Sequence, residues 1–310
     1  MPARGLQLAL CYLLRATVTV NVTYWLYRLA GIIVPRVPPR VGYAICRLMA
    51  GLLYQFNKQG RQNISLNLQR ILGPHTPQSE IRQRTRATFN YVLYNYFDLF
   101  RLPQLADETV DRLVTVSGWE NVTAALSDRR GILMTSAHLG NIEIVLYAML
   151  RRGLSITIPV ERVNPPQLFD YITRLRMSKG LKLIPIDGPL LDLIRSLKKG
   201  EVVGVAGDRD VTQTGRIVPF FGHPARLPDG HLRLALKTGA PLVVGFSRRN
   251  PDHTYHAYFL PAFHLPTDGS EEERIETGMH FIITEMEKAI RQTPEQWTVT
   301  VSIWTDPAAA

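Results

Sequence analysis

Acidic residues are missing from the N-terminal region of this 310-residue chain, where the first Asp or Glu is Glu80. The same stretch carries nine basic residues: Arg4, Arg15, Arg28, Arg36, Arg40, Arg47, Lys58, Arg61 and Arg70. Taking those nine from the 36 basic residues leaves 27 against 26 acidic ones, so almost all of the +10 net charge is N-terminal. Cysteine is scarce. Cys11 and Cys46, both in apolar surroundings, suggest neither a disulfide framework nor a zinc site. Long hydrophobic runs are missing as well. Leu6–Val34 and Val41–Phe56 are apolar, but arginines interrupt both, and the longest charge-free stretch there, Ala16–Tyr27, has 12 residues including Asn21. A bilayer span needs roughly 18–20 apolar residues. No small-x-small site follows a clean apolar core, which argues against a cleaved signal peptide. Internal repeats and low-complexity blocks are absent, and so is a Gly-x-Ser-x-Gly nucleophile motif around Ser136.

With 45% hydrophobic and 20% charged residues the chain has the means to bury a full core. Basic residues spaced among aliphatic ones suit a helix lying in a membrane interface, its arginines on anionic headgroups. Tyr24, Trp25 and Tyr27 fit an interfacial belt. A single tilted span with Arg28 snorkelling, or a pair of core helices, are the alternatives. The charge is not clustered on a polar surface, so a nucleic-acid partner is not expected.

Two regions follow from this patterning. Residues 1–72 read as a basic, apolar, helical, membrane-associating region broken at Pro35–Pro39, and 73–310 as an α/β domain. Thr76–Leu102 reads as a long helix whose aromatic series belongs to the core. Strands are expected at 131–135, 154–160, 181–186 and 201–206, separated by helices at 142–151, 164–179 and 189–199. Asn164 and Pro165 supply a cap and first-position proline for the second of these helices, and Gly180 closes it. Further strands are expected near 216–221, 241–248 and 255–260, with helices near 229–238 and over Glu271–Gln292, and a final strand over Trp297–Trp304. Such alternation implies an α/β fold with a largely parallel sheet flanked by helices. Ligands in such folds bind beyond the carboxyl ends of the strands.

Three groups fall at such ends. The first is Thr135-Ser136-Ala137-His138-Leu139-Gly140-Asn141-Ile142-Glu143, in which His138 and Glu143 are separated by four residues. On a continuous helix these two would point about 140° apart, so the segment must bend. Gly140 allows the bend and Asn141 is a good helix cap. Glu143 then sits near the positive end of a helix dipole, ionised, and able to accept one imidazole N–H. The other imidazole nitrogen is left as a base able to take a proton from a hydroxyl. The bland alternative is a capped histidine at a helix start. The second group is Glu161-Arg162, with Arg176 downstream, and the third is Asp208-Arg209-Asp210. Arginine forks suit phosphate oxygens, although internal pairing of Glu161 or Asp208 with a nearby arginine is the simpler reading for any one residue. Two carboxylates, Asp208 and Asp210, are thin evidence for a metal. Ser136 beside His138 is the alternative nucleophile of a hydrolase or thioesterase. A non-catalytic lipid-binding protein is the third reading.

Together these segments resemble the bacterial lipid A late-acyltransferase and phosphatidylinositol mannoside acyltransferase family. The likeness runs through Ser136–Glu143, Glu161-Arg162, Arg176, Asp208-Arg209-Asp210, Phe220-Phe221-Gly222, Pro224-Ala225-Arg226 and Pro294-Glu295-Gln296-Trp297. It implies a glycerolipid acyltransferase-like mixed sheet and acyl transfer from acyl-coenzyme A or acyl carrier protein to a hydroxyl of a membrane lipid. It assigns His138 as general base, Glu143 as its acidic partner, and Glu161, Arg162, Arg176, Asp208 and Arg209 to substrate binding. It also implies no metal or bound cofactor, and a place on the cytoplasmic face of the inner membrane, peripheral or single-span.

Overall fold

The run Ile132-Leu133-Met134-Thr135 is buried residue by residue because both faces of its strand are covered. Ile132 and Met134 join one hydrophobic cluster and Leu133 the other, as period-two alternation requires. The computed structural model describes residues 22–306. The expectations placed on Arg4, Cys11, Arg15 and the stretch up to Asn21 therefore lie outside the described residues.

In chain order the elements are a helix over 22–33 (α1), α2 (Pro39–Phe56), α3 (Lys58–Leu72), α4 (Gln78–Arg101), α5 (Asp107–Leu113), β1 (Val114–Ser117) and α6 (Trp119–Leu126). The central alternation follows: β2 (Ile132–Ser136), α7 (Ile142–Arg151), β3 (Ile156–Val160), α8 (Pro166–Met177), β4 (Lys182–Pro185), α9 (Leu190–Lys198) and β5 (Val202–Ala206). Then come β6 (Arg216–Phe220), β7 (His223–Leu227), α10 (Gly230–Thr238), β8 (Leu242–Arg249), β9 (Tyr255–Phe259) and α11 (Glu271–Gln292).

Seven strands form one sheet in the order β1-β9-β8-β2-β5-β3-β4. Every neighbouring pair is parallel except β8 with β9. Residues of α5, α6 and α7 share the core on one face of the sheet, and those of α9, α10 and α11 the core on the other. The expected mixed, largely parallel sheet flanked by helices is the fold observed.

Three details differ from the sequence expectation. The strand near 216–221 is half of a hairpin, β6–β7, that turns at Phe221-Gly222 with both residues at positive φ, the geometry tight hairpins favour. Pro219 and Pro224 face each other across it, and two prolines hid the second strand from the pattern. Trp297–Trp304 is not a strand. It contributes only isolated bridges, Leu139 to Trp297 and Ala225 to Trp304. Trp297, Val299, Ile303 and Trp304 are buried, but Val301 is exposed, so the alternation of the sequence is only partly an alternation of burial. Several of the segment's carbonyls are satisfied by side chains, Asn67 Nδ2 donating to Val299 O at 3.0 Å and Asn63 Nδ2 to Thr300 O at 3.0 Å, while Ile303 O accepts from Arg226 N at 3.1 Å. The helix expected to have Asn164 as cap and Pro165 as its first residue starts one residue later, at Pro166, with Pro165 in the cap position and no side-chain cap.

α2 and α3 pack on α4 around Ala50, Ile64, Leu68, Ile81 and Phe89. The opposite side of α2 stays open, with Val41, Ile45, Leu48, Leu52 and Phe56 exposed at helical spacing. Trp25, Leu26, Leu29, Ile32 and Ile33 are exposed on α1. Among the described residues no helix is long and apolar enough to cross a membrane.

Candidate active site

Register between β2 and β5 sets up the centre of the site. The strands run parallel with Ser136 opposite Ala206, and Gly207 N donates to Ser136 O at 2.8 Å. Two residues further along each chain stand His138 and Asp208. His138 N donates to Asp208 Oδ2 at 2.7 Å, and its Nδ1 lies 2.8 Å from Asp208 Oδ1. Trp297 Nε1 donates to Asp208 Oδ2 at 2.7 Å. Asp208 is fully enclosed, whereas the His138 side chain is 41% exposed. A carboxylate acceptor on Nδ1 fixes the proton there and leaves Nε2 as the free base.

The turn that carries His138 is held by backbone contacts. Leu139 N folds back onto Ala137 O at 2.7 Å, and Thr298 N donates to His138 O at 2.9 Å. Gly140 has φ +68 and packs so closely on β8 that a Cβ would lie 2.6 Å from Ser247 O. Gly140 N donates to Gln296 O, so this amide is already used. Asn141 caps α7 by accepting from Ile144 N at 3.2 Å. The amides of Ile142 and Glu143, in the first turn of α7, have no acceptor within their helix.

Glu143 does not orient the histidine. Its Oε1 lies 2.8 Å from Arg176 Nε on α8, both side chains being about one-fifth exposed, and its Oε2 is buried without a hydrogen bond. The bend at Gly140 places the first turn of α7 toward α8, while the strand register delivers Asp208 to the imidazole. Asp208, assigned by resemblance to substrate binding, is thus sealed behind His138. Glu161 pairs with Arg209 at 3.1 Å. Arg162 Nε lies 3.0 Å from both oxygens of the exposed Asp187, with its guanidinium over the Phe169 ring. Ser136 Oγ donates to Ala137 O at 3.2 Å and makes no contact with His138 of the kind a nucleophile needs. Asp210 closes its own loop, accepting from Thr212 N and Gly215 N, so it does not converge with Asp208 on a metal position.

Burial works against the imidazolium of His138, but the charge and hydrogen bond of Asp208 prevail and hold its pKa above the ordinary histidine value. Arg209 and Arg176 pull in the opposite direction. Burial alone raises the pKa of the Asp208 carboxyl, yet His138 and Trp297 hold it below the usual carboxylate range. The arrangement is a solvent-reachable imidazole oriented by an enclosed carboxylate, with Nε2 left able to take a proton. Sequence reasoning did not foresee Asp208 as the orienting acid or Trp297 as its second donor. The signal available was that His138 and Asp208 stand three and two residues past two expected strand ends, 135 and 206.

Residues 13–305 match the family described as bacterial lipid A biosynthesis acyltransferase. A phosphatidylinositol mannoside acyltransferase from Mycobacterium tuberculosis is 29% identical over 236 residues, covering 74% of this chain and 73% of that protein. The lipid A biosynthesis lauroyltransferase of Escherichia coli is 28% identical over 294 residues, 91% of this chain and 92% of that one. A crystal structure of the 1-acyl-sn-glycerophosphate acyltransferase of Thermotoga maritima aligns with a TM-score of 0.38 at 15% identity, over 81% of this chain and 97% of that one, too loosely to bear on chemistry. The match along almost the whole chain makes this protein an acyltransferase, a member of the bacterial lipid A biosynthesis acyltransferase family.

Proposed function

We propose that the protein moves a fatty acyl chain from a thioester, on coenzyme A or acyl carrier protein, to a hydroxyl of a membrane glycolipid or lysophospholipid, with His138 as general base. The observation that supports this most is the His138–Asp208 pair, with Nδ1 engaged and Nε2 open at the carboxyl end of β2. Nε2 takes the hydroxyl proton as that oxygen attacks the thioester carbonyl. The C–O bond forms, the C–S bond breaks, and the thiolate recovers the proton from the imidazolium. General base catalysis of this kind contributes about 10²–10⁴-fold. Charge on the tetrahedral oxygen needs donors already in place, and the free first-turn amides of α7 are the nearest candidates by sequence. Arg176 and Arg209 face His138 and supply positive charge for phosphates of donor or acceptor.

The chain works as a peripheral protein on the cytoplasmic face of the inner membrane in this reading. The exposed apolar faces of α1 and α2, with Arg40 and Arg47 exposed beside them, support an anionic bilayer as the surface it rests on. The test is thiol release from an acyl-coenzyme A and from an acyl carrier protein, with and without a lipid extract, by wild-type protein and His138→Ala. Acceptor-dependent release that His138→Ala abolishes, with an acylated lipid identified by mass, is the expected result. Full activity of a folded His138→Ala protein would refute His138 as base, and acceptor-independent release would make the protein a hydrolase.

A further inference from the structure

Behind the His138 turn lies a polar cluster that the chemistry above does not use. Asp98 of α4 is buried, and its carboxylate receives four donors, three from α2, β8 and β9 and one from the turn before α7. Tyr43 of α2 donates to Oδ1 at 2.7 Å. On Oδ2 converge Arg249 of β8, Tyr255 of β9 and, at 3.1 Å, the side-chain amide of Asn141. Arg249 is also buried, with its guanidinium over the rings of Tyr43, Tyr94 and Tyr255. Next to it, Asn95 Nδ2 donates to Gly140 O at 2.7 Å.

A buried ion pair of this sort roughly breaks even with an apolar pair of the same volume, so stability alone gives no reason for it. What an apolar pair lacks is direction. Asn141 Nδ2 is fixed on Asp98 and Tyr255, which turns Oδ1 toward Ile144 N and closes the cap of α7. Asn141 follows His138 by three residues, across Gly140. The aim of the cap and the seat of the imidazole on Asp208 are therefore one geometric problem.

We propose that Asp98 is a positioning residue: through Asn141 it holds the His138 turn against Asp208, and Tyr43 ties that same carboxylate to the helix whose outer face is apolar and exposed. The effect on rate rests on the reading of His138 as base; the effect on geometry does not.

Asn141→Ser keeps a capping oxygen and removes the amide donor to Asp98. The test titrates the His138 imidazole by NMR in wild-type and Asn141→Ser protein and measures kcat, KM and Tm for both. The charged groups facing His138 are Asp208 and Arg209 beyond β5 and Arg176 on α8, and Asn141→Ser leaves all three in place. The expected result is a His138 pKa displaced from its raised value toward the ordinary one, kcat lower by about 10- to 100-fold at unchanged KM, and Tm within a few degrees of wild type. A lowered Tm with His138 titration and kcat unchanged would overturn the proposal and leave Asp98 a structural residue. Should Asn141→Ser fail to fold, Asp98→Leu combined with Arg249→Met removes both buried charges together. The same displacement is then expected, and an unaltered titration overturns the proposal. If His138→Ala keeps full activity, the base assignment fails, while the NMR result still decides the positioning role.

Discussion

His138 and Asp208 lie 70 residues apart in the chain, yet each stands two residues past a strand end that faces the other, Ser136 against Ala206. Asp208→Asn removes the charge that outweighs burial at the imidazole and leaves Nδ1 facing a neutral amide. Loss of the fixed tautomer is expected to lower kcat/KM by about 10²–10⁴-fold with KM little changed. Single-turnover acyl transfer at saturating donor measures this. A loss confined to KM would mean that Asp208 serves binding instead.

The raised pKa of His138 also fixes a pH relation. A histidine whose folded pKa lies above its unfolded value stabilises the fold fully below the unfolded pKa, and that contribution is lost as pH rises through the folded pKa. The depressed Asp208 contributes above its unfolded pKa and loses its contribution as pH falls through the folded one. In the proposed mechanism only neutral His138 can take the proton. Activity is therefore expected to rise on the alkaline side of the ordinary histidine pKa, over the window in which Tm begins to fall. A pH series of kcat/KM and Tm tests this, with His138→Ala expected to lack that part of the Tm decline. A wild-type activity limb centred below the ordinary histidine value would contradict the cause assigned to the shift.

The strand–helix alternation was legible in the chain because short apolar runs and caps such as Asn141 are local signals, and it placed His138 at a strand end correctly. The hairpin was half hidden by Pro219 and Pro224, and the tail from Trp297 passed for a strand because its apolar residues alternate in the sequence although Val301 is exposed. Which carboxylate meets His138 was not a local property. Five residues of sequence separation favoured Glu143, but sheet register, a long-range relation, delivered Asp208, and α8 brought Arg176 to Glu143. The Asp98 hub was invisible for the same reason, since its donors come from residues 43, 141, 249 and 255.

Glu143 and Arg176 form a half-buried pair near His138, so removing either leaves the other uncompensated. Glu143→Gln and Arg176→Gln are each expected to reduce kcat/KM, and the double variant to lose much less than the sum of the two. A coupling of about 1–3 kcal/mol is the scale for residues in direct contact. Strict additivity in the double-mutant cycle would show that the two act independently.

Gly140 has no room for a side chain. A methyl group would meet Ser247 O and Oγ at 2.6–2.7 Å, and φ +68 adds a left-handed penalty of roughly 1–2 kcal/mol. Gly140→Ala is expected to lower Tm by several degrees and to impair turnover beyond that loss, because the displaced atoms belong to the turn bearing His138. Chemical denaturation with activity measured on the folded fraction separates the two effects. Wild-type stability in this variant would mean that β8 yields easily at Ser247.

The outer face of α2 carries the last expectation. Leu48 and Phe56 are 72% and 82% exposed, and burying each in a bilayer interface is worth about 1.5–3 kcal/mol. Charges at both positions oppose that transfer without disturbing Tyr43, Ala50 or the packing on α4. Leu48→Glu combined with Phe56→Glu is expected to weaken binding to vesicles containing anionic lipid by well over 10-fold. Transfer to a soluble short-chain acceptor should be preserved. Neutralising the exposed Arg40 and Arg47 should instead remove the salt-sensitive part of binding, since charges on anionic headgroups are screened beyond about 10 Å at 0.1 M salt. Cosedimentation at two ionic strengths distinguishes these contributions. Undiminished binding by the Leu48/Phe56 variant would move the membrane contact away from α2 and remove the support it gives to a peripheral enzyme resting on this face.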